Sequence, residues 1–150
     1  MAKHYRVLVV GIGDMGGAHA RGYAAIPGYE IVGFVVAKNT ARAEKLAGEL
    51  GLKVPVYTDY YRAMEETKPD VVAINTYTDT HAEFSIYALD AGCHVFMEKP
   101  IARTVEEAER VAEEVKRTGR KMVIGYILRQ HPAWIKFIEL ARGLGKPLIM

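Results

Sequence analysis

Six residues near the start of the chain, Gly11-Ile12-Gly13-Asp14-Met15-Gly16, have types and spacing that can hold a phosphate. They follow a short apolar run directly and open a helical pattern. In that setting Gly11 makes a tight turn, Gly13 lets the backbone approach a pyrophosphate, and Gly16 lets the helix pack on the strand. Exposed amides at the helix start would then hold the phosphates. With 14 glycines in 150 residues, the spacing alone fits a plain tight turn as well. Its position after the first strand is what points to a dinucleotide. Asp14 would be repelled by a pyrophosphate and should point to solvent.

A second candidate position is the end of the second apolar run, where Val36-Ala37-Lys38-Asn39 would meet the adenosine ribose. NAD sites usually carry an acid there to accept from the 2′-hydroxyl. Ala37 stands at that position and Lys38 follows, which removes repulsion of a 2′-phosphate and adds a cation. NADP is therefore the expected cofactor, with NAD possible and a merely solvated Lys38 the competing reading.

The elements that must position these residues alternate along the chain. Strand-length apolar runs lie at Tyr5–Val10, Glu30–Val36, Val71–Asn75, His94–Met97 and Lys121–Ile124, with a weaker one at Val54–Tyr57. Such runs, apolar on both faces, suit strands covered by helices on both sides. Helical spacing is expected from about Met15 to Ala25, Thr40 to Leu50 and Asp59 to Thr67. Thr104 and Glu107 form a capping box before the stripe Val105, Ala108, Val111, Ala112 and Val115, and Gly119 is its stop. Thr80 and Glu83 repeat the box before a helix ending near Gly92. The fold class expected is α/β: a doubly wound parallel sheet, the Rossmann dinucleotide-binding fold, with its site beyond the carboxyl ends of the strands. No internal repeat or long linker interrupts it.

From the fourth strand onward the sequence resembles the Gfo/Idh/MocA oxidoreductase family. The residues that carry the likeness are Val71-Val72-Ala73-Ile74-Asn75-Thr76, His81, and Ala91-Gly92-Cys93-His94-Val95-Phe96-Met97-Glu98-Lys99-Pro100. It extends from the glycine loop to Gly125-Tyr126 and Arg129…Pro132. The resemblance implies a Rossmann domain binding NAD(P), a following α/β domain, and reversible hydride transfer at a carbon of a sugar, polyol or related substrate. It places Glu98 and Lys99 beside the nicotinamide and makes Lys99 the catalytic residue, polarising the substrate oxygen or moving a proton. Read alone, Lys99 also fits a surface lysine beside a turn proline. Asn75, Thr76, Tyr77, His81 and Arg129 become cofactor-site candidates in the same way. Tyr77 replaces the family's usual proline. His81 fits equally the first turn of its helix, Arg129 an ordinary surface position, and Tyr126 and Trp134 packing roles.

Domain organisation is expected as a dinucleotide-binding domain over residues 1–125, then a linking helix and the start of a second α/β domain over 126–150. The helix carries Trp134, Phe137, Ile138 and Ala141, and Leu148-Ile149-Met150 reads as a strand that stops after it starts. Hence these 150 residues are expected to bind nucleotide with little or no turnover. Exposed apolar surface there favours a homo-oligomer.

Composition agrees with this class. Half of the residues are hydrophobic, a quarter are charged, and the formal net charge is +2. Dispersed charges leave no basic stripe for nucleic acid, and no apolar stretch approaches the roughly 18 residues of a membrane span. The start runs into a strand rather than a leader, which makes a cytoplasmic location the expectation. The single cysteine, Cys93, is expected as a small core hydrophobe, and no metal site is anticipated. Two other functions stay open: a non-catalytic dinucleotide sensor, and an interaction domain whose glycine turn is empty.

Overall fold

The computed structural model describes residues 4–145. Six strands, β1 (Tyr5–Val10), β2 (Tyr29–Val35), β3 (Val56–Tyr57), β4 (Val71–Ile74), β5 (His94–Met97) and β6 (Met122–Ile124), form one sheet in the order β3-β2-β1-β4-β5-β6. Every pairing is parallel. The strand order reverses between β1 and β4, so the crevice of this doubly wound Rossmann fold lies at their carboxyl ends. Six α-helices alternate with the strands: α1 (Asp14–Ala25), α2 (Ala41–Glu49), α3 (Tyr60–Thr67), α4 (His81–Asp90), α5 (Val105–Thr118) and α6 (Pro132–Gly143).

Side-chain alternation divides the core in two. Val7 and Val9 of β1 join Ala20, Phe34 and Leu46 under α1 and α2. Leu8 and Val10 point the other way, to Met64, Leu89 and Val95, with Val115 of α5 packed against them. Both faces of β1 are therefore sealed, which is why its sequence is continuously apolar. Cys93 is a core residue, 2% exposed, and burial pushes its thiol up to about 11.

Three local expectations need correction. The capping box at Thr80 does not form: Thr80 ends a 3-10 turn (Thr78–Thr80) that runs straight into α4. Its hydroxyl donates to Thr76 Oγ1 instead, and Glu83 accepts from Tyr61. The Thr104 box does cap α5, with Oγ1 accepting from Glu107 N–H at 3.2 Å, but the Glu107 carboxylate reaches back to Arg103 N–H. Val105 and Ala112 of the α5 stripe are exposed. They lie roughly 70–90° around the helix from the centre of the Ala108–Val111–Val115 face, at about 100° per residue. Tyr126 and Trp134, 48% and 42% exposed, keep ring contacts with Arg129 and Phe137 respectively.

Helix α6 packs chiefly on the preceding 3-10 turn, Ile127–Gln130, leaving Phe137, Ile138 and Leu140 exposed. The strand expected at Leu148-Ile149-Met150 lies outside the described residues. Among the described residues no helix is long and apolar enough to cross a membrane.

Candidate functional site

The carboxyl ends of β1 and β4 bring the glycine loop against Asn75. Gly11 adopts φ +84°, and a Cβ there would sit 2.5 Å from the Asn75 carbonyl oxygen. A Cβ at Gly16 would lie 1.8 Å from the Gly11 carbonyl oxygen. Neither position tolerates a side chain. Gly13 differs: a Cβ there meets nothing within 4 Å.

Gly13 is the N-cap of α1 and supplies no side-chain cap. Gly17 N–H bonds Gly13 O at 2.9 Å, so the N–H groups of Asp14, Met15 and Gly16 keep no partner within the helix. Amides at a helix start attract anions. Asp14 turns away as its charge requires: its side chain is 96% exposed and pairs with Arg42 of α2. Ile12 is buried in the core, while Met15 is 41% exposed. Asn75 donates from Nδ2 to Ala73 O at 3.0 Å, and its buried Oδ1 has no partner among the described residues. Uncapped amides, open space over Gly13 and an unpartnered buried acceptor fit a dinucleotide.

Ala37, Lys38 and Asn39 are exposed just past β2. Asn39 Oδ1 accepts from Ala41 N–H at 2.9 Å and so steadies the start of α2. Arg42, which the sequence reading did not single out, adds a second cation to this edge.

The turn after β5 holds the other candidates. Glu98 continues the ladder, its N–H bonding Ile74 O at 2.9 Å, and its carboxylate is buried, the residue being 8% exposed. Oε2 accepts from Lys99 N–H at 3.2 Å, and Oε1 lies 3.1 Å from His19 Nε2. An ionised carboxylate only accepts, so when Glu98 is ionised Nε2 is the donor in this pair. The His19 ring also packs on Phe96, with centroids 4.7 Å apart. Gly125 borders the same carboxylate; a Cβ there would come within 3.1 Å of Oε1. Lys99 itself is exposed and makes no ion pair among the described residues. The Lys99–Pro100 peptide is cis.

His81 lies in the first turn of α4, 1% exposed, with Nδ1 2.7 Å from Pro100 O and Nε2 3.2 Å from Thr76 O. It offers a bound molecule almost no surface. Instead it clamps together the loops that follow β4 and β5. Tyr77, by contrast, is 89% exposed at the mouth of the crevice. Arg129 is also exposed, its guanidinium 5.8 Å from the Tyr126 ring centroid. The structure thus gathers the glycine loop, Asn75, Thr76, Glu98 and Lys99 along one carboxyl edge. Among the described residues no cluster of three His, Cys, Asp or Glu could hold a metal.

Residues 5–126 match the model of the Gfo/Idh/MocA oxidoreductase family, NAD-binding Rossmann fold. The chain belongs to this family. It is 35% identical over 152 residues to the scyllo-inositol 2-dehydrogenase (NAD(+)) of Bacillus subtilis (strain 168), covering 99% of this chain and 44% of that protein. It is also 35% identical over 144 residues to the UDP-N-acetylglucosamine 3-dehydrogenase of Acidithiobacillus ferrooxidans, covering 96% and 43%. Among solved structures, the scyllo-inositol dehydrogenase of Lactobacillus casei with bound NAD(H) and scyllo-inositol superposes with a TM-score of 0.83 at 25% identity, over 94% of this chain and 42% of that one. The chain thus spans less than half the length of these relatives.

Proposed function

We propose that this chain is the cofactor-binding part of an NAD(P)-dependent oxidoreductase that moves a hydride to or from a carbon of a sugar, inositol or related polyol. The observation that carries the proposal is the shared carboxyl edge: uncapped amides of α1 and the exposed Lys99 flank one crevice, joined through His19 and Glu98. A nicotinamide cofactor, when bound, supplies or accepts the hydride. The glycine loop and the start of α1 hold its phosphates, with Asn75 Oδ1 available to a donor of the bound molecule. Lys99, as an ammonium, stabilises negative charge developing on the substrate oxygen; as a free amine it takes the alcohol proton. Names of the relatives support the polyol substrate class. Residues 1–125 form the dinucleotide-binding domain in this reading, and 126–150 lead into a second domain. Alone, the 150 residues bind nucleotide with little or no turnover, because hydride transfer also requires a substrate held over the nicotinamide. Self-association through the exposed face of α6 is part of the same reading.

For the cofactor we infer NADP preference, supported by the missing acid at Ala37, the exposed Lys38, and Arg42 nearby. NAD is the second reading, favoured by the cofactors named for the similar proteins. Parallel fluorescence titrations with NADPH and NADH decide. Tighter NADPH binding supports the first reading and tighter NADH binding the second. If neither binds, the oxidoreductase proposal fails. A sensor would need the glycine loop but not the lysine: nucleotide binding without turnover in the whole protein would favour the non-catalytic alternative, whereas loss of turnover in Lys99→Met with nucleotide binding kept supports the oxidoreductase.

A further inference from the structure

Glu98 and Lys99 are adjacent and opposite in charge, yet no ion pair joins their side chains among the described residues. Here both carboxylate oxygens are engaged elsewhere, Oε1 with His19 Nε2 at 3.1 Å and Oε2 with the Lys99 backbone N–H at 3.2 Å. Side-chain exposure is only 15% for His19 and 10% for Glu98.

We propose that His19 is a positioning residue for Lys99: by holding the Glu98 carboxylate inward, it leaves the lysine ammonium unpaired for a substrate oxygen. The proposal rests on the reading of Lys99 as the group that meets substrate. Three features of the structure make the arrangement specific. His19 stands on the inward face of α1 with Gly16 and Ala20, where a polar side chain needs a buried partner. Its ring is seated on Phe96 of β5, so the imidazole is aimed rather than free. Gly125 leaves the carboxylate the room it occupies; a side chain there would press on Oε1. An anion released from this seat has the Lys99 ammonium, which makes no ion pair among the described residues, on the next residue of the chain. Pairing would screen Lys99 from a substrate oxygen and hold it as the ammonium.

The test is competitive acetylation with acetic anhydride, followed by peptide mass spectrometry of Lys99 and, in the same sample, of Lys116 on α5. It needs neither nucleotide nor substrate, so it is independent of the titrations that test the oxidoreductase reading. His19→Phe keeps a ring on Phe96 and removes the donor. It should slow acetylation of Lys99 relative to Lys116 by roughly two- to fivefold, the effect of an exposed ion pair. The double variant His19→Phe/Glu98→Gln, with no carboxylate to release, should return the ratio to the wild-type value. His19→Gln, which can place an N–H near Nε2, should leave it unchanged. A merely structural role for His19 predicts no such recovery. An unchanged ratio in His19→Phe, or an equal fall in the double variant, overturns the proposal. Should His19→Phe fail to fold, His19→Leu with and without Glu98→Gln replaces the pair: a fall that the second change restores supports the proposal, and an unchanged ratio or an equal fall overturns it.

Discussion

The three glycines of the phosphate loop should separate cleanly into those that the fold needs and the one that a ligand needs. A Cβ at Gly16 would stand 1.8 Å from the Gly11 carbonyl oxygen and 2.9 Å from its carbon. The loop and helix must part by more than about an ångström to admit it, in an interior packed at crystal density. We expect Gly16→Ala to cost about 3 kcal/mol or more, the upper end for overpacking, and to lower Tm by about 6–12 °C at ~2–4 °C per kcal/mol. Gly13 has φ −81° and ψ −159°, which alanine adopts without strain, and an added Cβ meets nothing. Lower entropy of the unfolded chain offsets the few tenths lost at the N-cap, so stability should change by less than about 1 kcal/mol. Its Cβ would nevertheless project where a pyrophosphate must approach the amides. Gly13→Ala should therefore weaken NADH and NADPH binding at least tenfold, or about 1.4 kcal/mol, with an almost unaltered melting curve. Thermal melts and fluorescence titrations of the two variants and the wild type are sufficient. Wild-type nucleotide affinity in Gly13→Ala, or a melting loss as large as that of Gly16→Ala, would refute the reasoning.

Other consequences are equally direct. Ala37→Asp puts an acid at the end of β2 and should shift the NADPH to NADH affinity ratio toward NADH, by about tenfold for one charge-assisted bond gained and one repulsion added; an unmoved ratio in parallel titrations removes Ala37 from the ribose site. Thr104→Ala deletes the α5 cap and should cost about 1 kcal/mol in denaturant melts. The Cys93 thiol, raised to about 11 by burial, stays protonated in the folded chain while an unfolded thiol ionises near its ordinary value of 9.0. Between those values the unfolded state binds fewer protons, so stability falls as pH rises from about 9 to 11. Cys93→Ala should flatten that part of the stability profile relative to wild type.

The sheet was legible because its strands are buried on both faces, and a continuous apolar run such as Val7–Val10 has one architecture that suits it. Helix ends were less so. Thr80 and Glu83 have the spacing of a capping box, but spacing cannot reveal that a 3-10 turn already satisfies the helix start, which frees the Thr80 hydroxyl for Thr76. The buried face of α5 is narrower than its apolar periodicity for the same kind of reason: Val105 and Ala112 share that periodicity, but the contact with the sheet is centred on Val111.

At the site, the glycine loop and Lys99 could be read from the chain, and His19 could not, although the signal was present. Gly16 faces the sheet because a side chain will not fit there, and His19, three residues later, lies on the same face of α1. A histidine on a sheet-facing stripe of glycine and alanine requires a buried partner. Sequence offers many carboxylates, and only the topology, which sets β5 two strands from β1, brings Glu98 to that face. The lysine was found by its neighbours in sequence, but what keeps it free comes from a helix eighty residues earlier in the chain, about the distance at which the His19–Glu98 contact is formed (79 residues). Motifs record residues that share a turn. The group that restrains such a turn reaches it through the fold, so it must be sought on the faces that the fold turns inward.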